Sequence, residues 1–219
     1  MNCRFITAVA LIAIGIAAPA SNPRAELSPR SVGYVGCSNT LDSVIGYQFT
    51  PGAQSFWPIY DINGDSIDKW ARPDWLRAWF GGERPAWLTF TQQVATYGRP
   101  KYVWVQLCEN YAEEPNVYDQ VRNILTKLRT HMPQVEIFIS AINTYQPNPG
   151  LCRLMGPQGQ GVTDTIKWRD QAVADGLAKK GPDMGPLTAP LTIADGCHPN
   201  KEGMLLLGRQ LHAFFDDLP

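Results

Sequence analysis

Short apolar runs alternate with longer amphipathic ones along most of this chain. Val32, Tyr34 and Val35 make residues 31–37 a first strand, and a helix or turn follows over 39–47. Residues 56–62 read as a second strand. Asn63-Gly64-Asp65-Ser66 is a turn signal with helix-capping character. Residues 67–80 carry Trp70, Trp75 and Trp79 and are broken by Pro73, and Gly81-Gly82 marks another turn. Pro85 suits a first helical position and opens a helix over 86–97. Tyr102, Val103, Trp104, Val105 and Leu107 define a third strand over 101–108. Val117, Val121, Ile124, Leu125 and Leu128 fall at helical spacing and predict a helix over 116–131. A β-branched and aromatic run predicts a fourth strand over 134–142. Residues 143–161, rich in proline, glycine and asparagine, read as a long loop. Thr163 is expected to cap a helix reaching 180, residues 187–193 to form a short fifth strand, and 200–215 to form the last helix.

Strands that alternate with helices argue for a parallel sheet covered on both faces. In open sheets of this kind a ligand lies at the carboxyl ends of the strands. Ser38, Gly64, Asn110 and a loop bearing Asp195 and His198 all follow predicted strands, so one crevice can collect them.

Their chemistry fits together. A serine hydroxyl is a weak nucleophile until a histidine takes its proton, and the histidine needs an acceptor on its other ring nitrogen. Asp195-Gly196-Cys197-His198-Pro199 places a carboxylate three residues before an imidazole, in a turn ahead of the last helix. Gly36-Cys37-Ser38-Asn39 places a serine where the first strand stops and a helix starts. Helix amides there point at incoming negative charge. The plain alternatives are an N-cap role for Ser38 and a capping cluster for Asp195 and His198. Of the other two histidines, His131 sits at a helix end and His212 on the final helix, both read as structural. An acyl-transfer transition state also needs donors for its oxyanion. The Ser38 amide, the Gly64 amide and the Asn110 side chain are the candidates, with Gly81 and Gly82 competing for the glycine's place. No cofactor or metal is expected: Cys197 and His198 lack the further ligands zinc would need.

Composition narrows the setting. The chain has 219 residues and a net charge of −1 without charge runs, which gives no footprint for nucleic acid and none for stable membrane association. Arg4, an apolar stretch over 5–18 and Ala18-Pro19-Ala20 read as a cleaved signal peptide over 1–20; the stretch is short of the ~20 residues a membrane anchor needs. Residues 21–30 form a leader, and 31–219 a single catalytic domain, expected to be monomeric. Four cysteines follow the leader. In an oxidising compartment they suggest disulfides. Cys152–Cys197 is the expected bridge, tying a long loop to the His198 loop. Cys37 and Cys108 then pair or stay as free thiols. The seven tryptophans offer either core packing or a stacking platform for sugar rings.

These blocks resemble the SGNH hydrolase superfamily, which includes the GDSL esterases and lipases. Gly36-Cys37-Ser38-Asn39, Asn63-Gly64-Asp65, Glu109-Asn110 and the Asp195–Pro199 loop match its four blocks in order. The pattern's usual Asp before the serine is Cys37 here, and Leu107-Cys108-Glu109-Asn110 replaces its Gly-x-Asn-Asp. The resemblance implies a three-layer α/β/α sandwich with a mostly parallel sheet of about five strands. It also implies metal-free ester hydrolysis through an acyl-enzyme. Short acyl esters, including acetyl esters on polysaccharide, are the expected substrates. A lysophospholipase or thioesterase, an acyltransferase, and a non-catalytic carbohydrate-binding module are the alternatives.

Overall fold

The computed structural model describes residues 30–59, 85–109 and 118–218. At its centre lie the parallel strands β1 (Val32–Val35), β2 (Tyr102–Gln106), β3 (Glu136–Ser140) and β5 (Lys179–Lys180), in the order β1-β2-β3-β5. The side chains of β1 and β2 are buried throughout, and those of β3 from its second residue onward, as a parallel sheet covered on both faces requires. A separate parallel pair joins β4 (Tyr145–Gln146) to β6 (Leu187–Thr188).

The helices are α1 (Ser38–Gln48), α2 (Pro85–Tyr97), α3 (Tyr118–His131), α4 (Gln160–Ala174) and α5 (Lys201–Phe215). From β1 the chain first moves outward, because Phe56 forms a parallel bridge with Val32 on the side away from β2. It then returns past β1 to reach β2, β3 and β5 in turn. Right-handed crossovers in opposite directions put their helices on opposite faces. This yields the three-layer α/β/α arrangement, with α1 packed on α5 and α3 on α4. The direction of winding reverses at β1, so the crevice at its carboxyl end is where such a sheet binds ligands.

Several sequence expectations need correction. The second strand shrinks to the single bridge at Phe56, and residues 60–62 lie outside the described residues. Among the described residues the main sheet has four strands rather than about five, the last of them Lys179–Lys180; of the 187–193 segment, Leu187–Thr188 pairs with β4 and Ala189–Leu191 forms a short 3-10 turn. The fourth helix starts earlier than Thr163, at Gln160 after Gly159, and stops at Ala174. It ends there because the amides of Gly176 and Leu177 fold back onto the carbonyls of Val173 and Ala172, a Schellman closure. Within the long loop lie β4 and a 3-10 turn at Arg153–Met155.

Among the described residues, α1 and α5 pack especially closely. A β-carbon on Gly46 would collide with the Met204 carbonyl, and one on Gly208 with the backbone of Gly46 and Tyr47. The two helices therefore touch backbone to backbone, at a distance that glycine permits. Near their C-terminal ends Tyr47 Oη donates to the Asp216 carboxylate at 3.0 Å, and Ser55 Oγ donates to the same group at 2.5 Å. Phe56 fills the space beneath, 4.6 Å from the Tyr47 ring and 5.0 Å from that of Phe215. Since α1 begins at Ser38 and α5 begins three residues after His198, this contact also sets the separation of those two residues. Gly208→Ala is expected to push the helices apart and cost about 1–3 kcal/mol or more. Chemical denaturation should show that loss, and any activity dependent on Ser38 and His198 should fall with it, whereas Ala213→Gly on the same helix should leave the separation unchanged.

Candidate active site

Ser38 sits at the carboxyl end of β1 as the first residue of α1. The cap position belongs to Cys37, whose amide donates to Thr40 Oγ1 at 3.0 Å. Ser38 is therefore free of capping duty. Its half-buried hydroxyl lies 2.8 Å from His198 Nε2, a contact between residues 160 positions apart in the chain. Its backbone amide belongs to the first turn of α1, where the helix itself supplies no acceptor.

The loop that presents His198 is held rigidly. The Ile193 amide donates to the His198 carbonyl at 2.9 Å, and the Gly196 amide to the Ile193 carbonyl at 3.0 Å. Thr192 and Pro199 form an antiparallel bridge. Gly196 takes a left-handed φ of 69°, and a β-carbon there would strike the Leu151 carbonyl. Glycine is the residue that meets both demands. Cys197 is buried and bonded to Cys152, and its carbonyl accepts from Tyr145 Oη at 3.0 Å. The α5 cap is Asn200, whose Oδ1 accepts from the Gly203 amide at 3.0 Å. Neither Asp195 nor His198 caps that helix.

Asp195 uses both oxygens. Oδ1 accepts from the amides of Cys197 and His198 at 2.8 and 3.0 Å, and Oδ2 lies 2.5 Å from His198 Nδ1. Partial burial raises its pKa, but the His198 ring and the two amides outweigh that and hold it below the usual carboxylate value. An ionised carboxylate is acceptor-only, so the Nδ1 facing it carries the ring proton. Nε2 is then left as the acceptor for the Ser38 hydroxyl.

Behind Ser38 runs a buried chain of polar side chains. Thr40 Oγ1 donates to Gln106 Oε1, Gln106 Nε2 to Asn143 Oδ1, and Asn143 Nδ2 to Asn39 Oδ1, each at 2.9 Å. All four residues are buried. The chain ties the first turn of α1 to the ends of β2 and β3, and a satisfied buried network of this sort specifies one geometry. Cys37 and Cys108 form a second disulfide, clamping the ends of β1 and β2 beside the nucleophile. Both cysteine pairs thus brace a loop that carries a site residue.

Not every expected residue falls within view. Gly64, Asn110, Gly81 and Gly82 lie outside the described residues. So do Trp70, Trp75 and Trp79. Trp57, Trp104 and Trp168 are core residues. Residues of the 150–153 and 189–196 segments, Arg153 and Asp195 among them, line an open cleft of about 610 Å³.

Asp42, on the same helix as Ser38, was not read from the sequence. It lies one helical turn after Ser38, so both side chains emerge on one face of α1. Burial raises its pKa to about 6; the nearby His198 opposes that rise and Asp195 adds to it. The spacing of a carboxylate four residues after the serine was the available signal. The folded chain holds the Asp42 proton more tightly than the unfolded chain does. It therefore binds more protons between the ordinary carboxylate range and about pH 6, and stability falls as pH rises through that window. Asp42→Asn is expected to raise Tm at neutral pH and to leave it unchanged at a pH below the ordinary carboxylate range. Thermal scans of both proteins across that span check the sign.

No model of a known protein family matches the chain, and no curated protein matches its sequence. Among solved structures it is similar to a protein from Lactobacillus plantarum, at 16% identity over 87% of this chain and 98% of that one, with a TM-score of 0.48. It is also similar to a carbohydrate esterase family 2 enzyme with a carbohydrate-binding domain from Corynascus thermopiles (Myceliophthora fergusii). That likeness is at 14% identity over 87% of this chain and 67% of that one, with a TM-score of 0.46. Overlaps of this size transfer neither an activity nor a residue's role.

Proposed function

We propose that this protein is a secreted serine esterase that acts on short acyl esters, acetyl esters of carbohydrates among them, through an acyl-enzyme. The carrying observation is the relay from Ser38 Oγ to His198 Nε2 at 2.8 Å and from His198 Nδ1 to Asp195 at 2.5 Å. Ser38 attacks the ester carbonyl while Nε2 takes its proton. The Ser38 amide, with the expected Gly64 amide and Asn110 side chain, meets the oxyanion. His198 then gives the proton to the departing alcohol, leaving Ser38 acylated. Water, activated by the same nitrogen, releases the acid and restores the serine. Asp195 keeps the ring oriented and stabilises the imidazolium at each stage.

Two features support an extracellular setting. The disulfides Cys37–Cys108 and Cys152–Cys197 persist in oxidising compartments. The apolar stretch near the N-terminus reads as an export signal. Among the described residues no helix is long and apolar enough to cross a membrane.

Hydrolysis of 4-nitrophenyl acetate tests the reading. The wild type is expected to turn over and to be labelled at Ser38 by a serine-directed phosphonate. Ser38→Ala should lose at least about 10⁴-fold in kcat, and equal rates in the two proteins would discard the mechanism. Asp195→Asn preserves the shape of the loop but removes the acceptor that fixes the His198 tautomer, and should lower kcat by roughly 10³–10⁴-fold. Asn110→Ala should cost about 10²–10³ in turnover, the loss expected of one oxyanion donor.

A further inference from the structure

Tyr145 reaches the His198 loop from outside it. The residue is buried, and its hydroxyl donates to the Cys197 carbonyl at 3.0 Å. That carbonyl shares one peptide unit with the His198 amide, which donates to Asp195 Oδ1 at 3.0 Å. The unit is trans, and a trans peptide is planar with its C=O and N–H on opposite edges. One plane is thus held at both edges, by a phenol on one side and a carboxylate on the other. Turning it about its long axis would break both bonds. The other oxygen of the same carboxylate lies 2.5 Å from His198 Nδ1. A continuous path of hydrogen bonds therefore runs from Tyr145, through the 197–198 peptide and Asp195, to the imidazole.

The pair of short strands apart from the main sheet delivers Tyr145 to this place. The Thr144 amide donates to the Met184 carbonyl at 2.9 Å, and the Leu187 amide to the Thr144 carbonyl at 2.8 Å. Tyr145 of β4 then stands in register with Leu187 of β6. From β6 the chain passes through the Ala189–Leu191 turn directly into the His198 loop. The β4–β6 pair thereby fastens the loop where it begins, and Tyr145 fastens it where it matters for the relay. Burial, with the charge of Asp195 adding to it, raises the Tyr145 pKa far above the ordinary phenol value, so the hydroxyl keeps its proton and stays a donor. The plain alternative is that a buried carbonyl needs a donor and Tyr145 supplies it. That role alone would not explain why the peptide so held is the one whose N–H serves Asp195.

Resting on the esterase reading above, we propose that Tyr145 is a positioning residue of the relay. Through the 197–198 peptide it fixes the Asp195 carboxylate, and so aims Oδ2 at His198 Nδ1. It acts through Asp195 and does not touch the reacting atoms. A fully satisfied buried network of this kind selects one orientation of its members.

Tyr145→Phe deletes the donor and adds no volume, so the variant is expected to fold. On 4-nitrophenyl acetate its kcat should fall about 3- to 10-fold, as for one neutral hydrogen bond, with KM unchanged. In an Asp195→Asn background the group through which Tyr145 acts is already lost, and the same change should cost less than about 2-fold. Thr144→Val removes another hydrogen bond between neighbouring segments, from Thr144 Oγ1 to the Met184 carbonyl at 3.0 Å, and should leave kcat unchanged. A second arm needs no turnover. By NMR with isotope-labelled histidine, the His198 Nδ1 proton facing the carboxylate should resonate far downfield in the wild type. That signal should shift or broaden in Tyr145→Phe and stay in place in Thr144→Val. An unchanged kcat in Tyr145→Phe, or a fall of equal size in the Asp195→Asn background, overturns the proposal. So does a signal that ignores Tyr145→Phe or responds equally to Thr144→Val. A protein that cleaves no ester, yet whose His198 signal responds to Tyr145→Phe alone, would refute the esterase reading and leave the role of Tyr145 standing.

Discussion

Two glycines hold this site together from a distance. Gly46 and Gly208 let α1 and α5 meet backbone to backbone, and each helix starts next to one member of the serine–histidine pair. The 2.8 Å contact between Ser38 and His198 depends on that approach as well as on contacts within the site. A side chain at either glycine would have to move a helix, and rigid helices carry such a shift along their length. The Tyr47–Asp216 hydrogen bonds and the Phe56 cluster secure the far ends of the same two helices. Ser38 and His198 are thereby joined by an assembly of packed elements, although 160 residues separate them in the chain.

The loops are braced by different means. The His198 loop gets its shape from its own backbone bonds, from Gly196 and from the bridge to Cys152. The Ser38 turn gets its shape from the buried Thr40–Gln106–Asn143–Asn39 chain and the Cys37–Cys108 bond. Closing chain loops of 71 and 45 residues removes freedom mainly from the unfolded state. The hydrogen bonds act in the folded state, where they select one orientation of each side chain. Stability and precision at the site thus come from separate interactions.

Much of this was legible in the sequence, for identifiable reasons. Strands β1, β2 and β3 are continuous apolar runs, because both faces of the sheet are covered, and such runs stand out. Helix α3 shows a clear stripe at Val121, Ile124, Leu125 and Leu128, all buried as the spacing requires. The expected Cys152–Cys197 bridge is present. What failed was short or tertiary. Lys179–Lys180 is a two-residue edge strand of exposed lysines, with no apolar signature to set it apart from a helix end. The stop signal Asp175-Gly176 was present and outweighed by the helical pattern before it. The strand expected over 56–62 is present as the bridge from Phe56 to Val32, and local sequence does not show how far such pairing extends. Gln106, within the expected third strand, and Asn143, at the start of the expected long loop, drew no notice, since no local pattern shows that two amides will meet in the core.

The two departures from the SGNH block pattern prove to be related. Cys37 stands where that pattern has an aspartate, and Cys108 falls within the altered third block; the structure joins them in one disulfide. An uncharged covalent clamp therefore occupies ground beside the nucleophile that the pattern gives to a carboxylate. A charge there would have acted on Ser38 from the strand side. In this chain the nearest acid on the nucleophile's own helix is Asp42, one turn further along and on the face shared with Ser38. Position 37 is buried at the end of the strand, whereas Asp42 is half-buried on the helix. The Cys37–Cys108 bond braces the turn without adding a charge to it, and the acid of this helix lies one turn away.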